Sequence, residues 1–233
     1  MKNLFTAIKA FFSSLMADAP IAHAPSSCGN INALLLHLCD FDEELHMWVL
    51  RWLAYPLRNP GAKMSTCILV NGGEGTGKAM FFRDVIGEIY GEASRTIGTS
   101  QMQAASLNWT EGAQFVVIDG DYSKKSMMHL KHLVTDSAVY LTARMKPTQL
   151  VPNNMNFVFL TGALDFLPAD AADRRFLVIE APPARQKQFY HAARSEIADG
   201  GVEAFYDFLL HWPDMGSFEA TTPPPVARVR EVA

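Results

Sequence analysis

At 233 residues the chain is long enough for one domain, or one domain with a helical appendage. Such a chain buries roughly 70% of its unfolded surface and needs no disulfides to hold together. A composition 49% hydrophobic and 19% charged excludes a disordered or collagen-like chain, and three cysteines (Cys28, Cys39, Cys67) without a C-x-x-C pair exclude a disulfide scaffold or zinc ribbon. The net charge of −4 excludes a globally basic nucleic-acid coat, though not a local basic pore.

In chain order, Leu4, Ile8, Phe11, Phe12 and Leu15 recur at helical spacing. Lys9 interrupts what would otherwise imitate a secretory signal, so residues 1–29 are expected to form an amphipathic segment and linker, not a leader. No apolar run is long enough to span a bilayer, and the expected location is cytoplasmic, with no membrane partner. Residues 30–62 carry helix-period apolar faces (Leu34, Leu35, Leu38, then Leu45, Trp48, Val49, Trp52) and form a helical lead-in. Pro56, Asn59, Pro60 and Gly61 should stop it. Trp48, Trp52 and Tyr55 are expected to be packing residues.

Beyond Gly61, short apolar runs alternate with helical patterns: Thr66–Val70, Phe115–Ile118, Val139–Thr142, Phe157–Leu160 and Phe176–Ile179. Strands of this kind, buried on both faces, predict a mostly parallel sheet between helices over residues 63–182. Two late helices are expected within 183–215, around Gln186–Ile197 and Val202–Trp212, and an unstructured tail over 216–233.

The sharpest local signal is Gly72-Gly73-Glu74-Gly75-Thr76-Gly77-Lys78-Ala79, between an apolar strand and a helix striped with Phe82, Val85, Ile86 and Ile89. Glycines let successive backbone N–H groups face one anion, the helix N-terminus adds partial positive charge, and Lys78 reaches the outer phosphates. Ala79 stands where a hydroxyl residue normally ligates Mg²⁺. Phe115–Asp119 is an apolar strand ending in a carboxylate that can hold Mg²⁺ through water.

These residues resemble the superfamily three helicase module of phage and plasmid primase-helicase proteins, of the phage P4 type. The match runs from about Asn30 to Glu180. After the Trp52–Gly61 lead-in, the phosphate loop and the Asp119 strand, it takes in Leu130–Asp136, Lys146, Asn153, Phe157–Thr161 and Asp173–Phe176. The resemblance implies an α/β fold, a P-loop NTPase core preceded by a helical subdomain, with ATP and Mg²⁺ as cofactors. It also implies a homo-oligomeric ring, usually a hexamer, around single-stranded DNA, and a separate primase or other replication protein as partner. By the same resemblance Arg174 or Arg175 would complete the neighbour's site, and Lys146, with Arg144 beside it, would face DNA from a hairpin.

Three positions depart from the family pattern. Besides Ala79, Gly120 stands where an acidic residue orients water, with Asp121 one further on as its possible substitute. Gly162 stands where a polar sensor is usual. Nucleotide binding is therefore supported better than hydrolysis, and two readings stay open: a helicase-type ATPase, or a hydrolysis-deficient nucleotide-binding module that assembles on DNA or a partner. A small-molecule kinase is disfavoured, because no arginine-rich lid or acceptor motif is visible. Between Tyr122 and Leu150, Lys124, Lys125, Lys131, Arg144 and Lys146 outweigh Asp136, a local cationic excess suited to phosphate contacts. His129 and His132 lack completing ligands and are expected to be surface residues.

Overall fold

The computed structural model describes residues 28–102, 108–120, 132–141, 148–162 and 175–225. The amphipathic N-terminal segment, Lys124, Lys125, His129, Lys131 and residues 226–233 lie outside them.

Helix α1 (Gly29–Leu38) buries Ile31, Leu34, Leu35 and Leu38. No side chain of its own caps its N-terminus. Glu196, far along the chain, accepts from the Ile31 backbone N–H at 2.7 Å and from Asn30 Nδ2 at 3.0 Å. A carboxylate at a helix N-terminus satisfies an orphan donor and complements the dipole. Helix α2 (Glu43–Arg58) is capped by Asp42, whose Oδ1 accepts from Leu45 N at 3.1 Å. Pro56 does not stop α2, contrary to expectation. It lies in the last turn, and the helix continues to Arg58, where Asn59 closes it by donating to Tyr55 O.

Strand β1 (Cys67–Asn71) leads into the glycine-rich loop, and α3 follows over 78–90, with Met80–Ile86 as a π-helical stretch. The wider π turn accommodates adjacent buried rings: Phe81 and Phe82 meet edge to face at 5.0 Å. Next come β2 (Ser94–Gly98), the short α4 (Thr99–Met102), β3 (Phe115–Asp119), β4 (Ala138–Leu141), β5 (Gln149–Pro152), β6 (Asn156–Thr161), β7 (Phe176–Glu180), α5 (Lys187–Glu196) and α6 (Val202–His211).

Strands β2-β3-β6-β1-β7 form one sheet in that order, parallel throughout. The expected α/β core, a mostly parallel sheet between helices as in P-loop proteins, is thus present. The run beginning at Val139, expected among the strands of the parallel sheet, lies instead in β4, which pairs antiparallel with β5 as a separate ladder, because its partner is the nearby strand Gln149–Pro152 and not a strand of the sheet. Alternation sends Ile68, Val70, Val117, Val158, Leu160, Leu177 and Ile179 into a core shared with α1, α2, α3 and α6. Cys67, Leu69, Val116, Ile118, Phe157 and Phe159 face the opposite layer, with Leu133, Val134 and Val139. The helical lead-in therefore shares the sheet's own core.

The segment expected to be unstructured from Ser217 packs on the body as far as residue 225. Phe218 is buried, edge to face with Trp48 at 5.8 Å. Ala220 O accepts from Ser65 N at 2.9 Å, and Pro223 O accepts from Trp48 Nε1 at 3.0 Å. A single aromatic in a polar, proline-rich stretch suffices where a preformed aromatic surface receives it.

Candidate functional site

Register places the ends of all five parallel strands at one edge. Asn71 is level with Thr161 and Glu180, and Asp119 with Leu160 and Gly98. Ligands of open α/β sheets bind beyond such carboxyl ends. The glycine loop, Asp119 and Gly162 all emerge there.

The loop's shape is fixed by its neighbours. Gly77 has φ of +93°, and a Cβ there would stand 2.6 Å from Leu34 Cδ1 and 3.1 Å from the Tyr190 ring. Helices α1 and α5 thus press directly on the loop, and any side chain at 77 would both adopt a strained positive φ and push Leu34 and Tyr190 aside. A Cβ on Gly72 would lie 2.8 Å from Ala181 Cβ. Gly75, at φ of +73°, faces open space. The Thr76 hydroxyl is turned inward, donating to Gly73 O at 3.0 Å.

Lys78 Nζ donates to Gly72 O, to Gly73 O at 2.8 Å and to Thr76 Oγ1 at 3.4 Å. Partial burial lowers its pKa from the usual lysine value, and the negative charges of Asp119 and Glu74 work against that fall. The ammonium is therefore held over the loop within the field of both carboxylates.

Asp119 is exposed at the end of β3, and alternation points it to the α3 side of the sheet, like Phe115 and Val117. Arg83 on α3 hydrogen-bonds Asp84 at 2.9 Å, and that bond, with the Asp84 and Asp119 charges, raises its pKa. Loop, helix N-terminus, Lys78 and Asp119 thus share one face. Ala79 is half-buried against the core and offers no oxygen.

On the other face Asn71 Nδ2 donates to Glu180 Oε2 at 2.8 Å, while Asn71 Oδ1 is buried without a hydrogen-bond partner. This pair, one residue before the loop, carries no sequence signal.

Gly120 has φ of +140°, where side chains are rarely tolerated, and its N–H donates to Leu160 O at 3.1 Å. Gly162 is exposed, and a Cβ there would stand 3.9 Å from Gly72 O, which is ordinary contact. Arg175 sits at the opposite edge from the loop: its carbonyl accepts from Cys67 N at 2.8 Å, at the start of β1. A five-residue strand separates the two edges by roughly 16 Å. Asp121, Arg144, Lys146 and Arg174 lie outside the described residues. His132 is exposed beside Asp136 at 3.8 Å, and no cluster of three metal-ligating side chains occurs among the described residues. Trp52 is buried and donates to Thr66 Oγ1 at 3.0 Å, as a packing residue should.

The donor set fits a triphosphate: backbone amides curled by glycines, a helix N-terminus and an ammonium. It fits Mg²⁺ in part, through Asp119 alone among the described residues. No described helix is long and apolar enough to cross a membrane.

A family model described as a family of unknown function, DUF5906, matches residues 70–175, which take in the glycine loop, β3 and β6. No curated protein matches the chain. Among solved structures, the apo structure of the NrS-1 C-terminal region (305–718 of that protein) is similar, with a TM-score of 0.71 and 22% identity over 84% of this chain and 48% of that one. An A-form apo structure of the same region gives a TM-score of 0.67 and 21% identity over 84% and 47%. The chain spans about half the length of these structures. At such identity the likeness establishes a shared fold.

Proposed function

We propose that the chain is an ATP-binding ATPase of the replication-helicase kind, acting on single-stranded DNA as a cytoplasmic homo-oligomeric ring, hexameric as in the superfamily three proteins it resembles. The observation that carries this reading is the placement of Gly72–Lys78, the N-terminus of α3 and Asp119 on one face of one sheet edge. The fold shared with the NrS-1 C-terminal region accords with it. A separate primase or other replication protein is the partner this reading implies.

In this mechanism the loop amides bind the inner phosphates, and Lys78 leaves the carbonyls of Gly72 and Gly73 for the outer ones. Asp119 would hold Mg²⁺ through water. That ion supplies charge neutralisation on the phosphoryl group. Arg175 is too far from its own loop to serve it, so its role belongs to a neighbouring subunit's site, alongside Arg174.

The second reading, a nucleotide-binding module without motor activity, is favoured by a specific observation. Ala79 gives the metal no oxygen, and neither Gly120 nor Gly162 presents a polar side chain at the edge.

The experiment that separates the readings is ATP turnover with and without single-stranded DNA, beside binding of a fluorescent ATP analogue. The motor reading expects DNA-stimulated turnover, and the module reading expects binding with only trace hydrolysis. In both, Lys78→Ala weakens analogue binding about 10- to 150-fold, because a hydrogen bond from a charged donor is worth about 1.5–3 kcal/mol. Unchanged affinity in that variant refutes the site.

A further inference from the structure

The β4–β5 ladder carries an outward feature that phosphate chemistry does not use. Register sets Tyr140 directly opposite Leu150, with Val139 opposite Val151 on the other face. Val139 and Val151 pack on the sheet layer, whereas Tyr140 and Leu150 are 67% and 61% exposed. Only Phe41 and Tyr206 join them as exposed large hydrophobics among the described residues, so two of those four form one cross-strand pair.

Hydrogen bonds tie the base of the ladder to its neighbours. Asn153 Nδ2 donates to Leu133 O at 2.8 Å and to Asp136 O at 2.7 Å, Asn153 Oδ1 accepts from Met155 N at 3.2 Å, and Asn153 N donates to Ser137 O at 2.9 Å. Lys63 Nζ donates to Leu133 O at 3.2 Å and to Met155 O. An exposed aromatic preorganised in this way loses little entropy on binding.

We infer that Tyr140, with Leu150 beside it, is a stacking platform for the bases of single-stranded DNA. The inference rests on the DNA-engaging reading above and extends it from phosphates to bases. One phenol ring flanked by an aliphatic side chain matches a base and its sugar, and every base offers a π face. The patch is far smaller than the ~800 Å² per partner that a stable protein interface buries, so a second copy of the chain fits poorly. Charge agrees. The sequence joining β4 to β5, residues 142–148, contains Arg144 and Lys146 and no acidic residue.

The test uses the full chain, fluorescein-labelled oligo(dT) and an abasic oligomer of equal length, read by anisotropy across a KCl series. Tyr140→Ala should weaken oligo(dT) binding about 5- to 150-fold with an unchanged salt slope, since no phosphate contact is lost. Tyr140→Phe should retain affinity, and Leu150→Ala should show a smaller loss. Wild type should bind the abasic oligomer as weakly as Tyr140→Ala binds oligo(dT). Wild type that binds both oligomers equally, or Tyr140→Ala with full affinity, overturns the platform and leaves DNA binding standing. A fall in particle mass by light scattering, with equal losses on both oligomers, would make the patch a subunit contact and overturns it too. No binding of either oligomer by wild type at low salt overturns the DNA-engaging reading itself.

Discussion

At residue scale Ala79 and Gly120, which depart from the pattern the sequence resembles, are not equivalent. Ala79 is the second residue of helical chain after the loop and is half-buried on the core side, so a serine there adds one hydroxyl without displacing backbone. Gly120 is different, because its φ of +140° belongs to glycine, and a glutamate would strain the turn by about 1–3 kcal/mol. Ala79→Ser should therefore raise Mg²⁺-dependent ATP turnover, and adding Gly120→Glu should give no further gain. Steady-state phosphate release from the two variants checks both halves.

At element scale the junction between the sheet and the β4–β5 ladder depends on Lys63. Burial pushes its ammonium down to about 7, while the Cys67 and Asp136 charges pull it up. Its nitrogen also lies 4.8 Å from the Phe157 ring centroid. The unfolded chain keeps an ordinary lysine value near 10.5, so between pH 7 and that value the unfolded state binds more protons. Stability from this group therefore rises as pH increases from about 7 and is lowest below it, where the buried amine must carry its charge. Lys63→Met should flatten that rise. Urea unfolding midpoints at intervals from pH 6.5 to 9.5 measure it, and an equal slope in both proteins refutes it. The same carbonyls at Leu133 and Met155 then lose one donor, so the Tyr140 ladder should also loosen in hydrogen exchange.

At whole-molecule scale the separation of Arg175 from Lys78 demands a second subunit if both act in one reaction. Arg175→Ala should leave binding of the fluorescent ATP analogue intact and reduce turnover. Mixing it with Lys78→Ala should restore part of the activity, because some interfaces then combine an intact loop with an intact arginine. Turnover that stays at the level of the separate variants refutes arginine sharing between subunits. The chain ends also act at this scale. Glu196 of α5 caps α1, Arg58 of α2 donates to Leu209 O of α6 at 2.8 and 3.0 Å, and Phe218 closes over Trp48. Lead-in and C-terminal helices thus form one layer on the sheet.

The sequence by itself determined the parallel-strand core, because buried strands such as Cys-Ile-Leu-Val and Phe-Val-Val-Ile are apolar without interruption. It also determined the glycine-rich loop at Gly72–Gly77, whose positive-φ turns at Gly75 and Gly77 are a backbone requirement written into residue identity. It did not reveal β2, Ser-Arg-Thr-Ile-Gly, which lies at the sheet edge with only Ile97 buried, or the bounds of β5, three of whose four residues are exposed. The strand order, the face Asp119 shares with α3, the distance of Arg175 and the pairing of Tyr140 with Leu150 were decided only by the tertiary structure. Each depends on which strands become neighbours and in what register. A local pattern encodes which residues are buried, whereas long-range pairing fixes which of them meet.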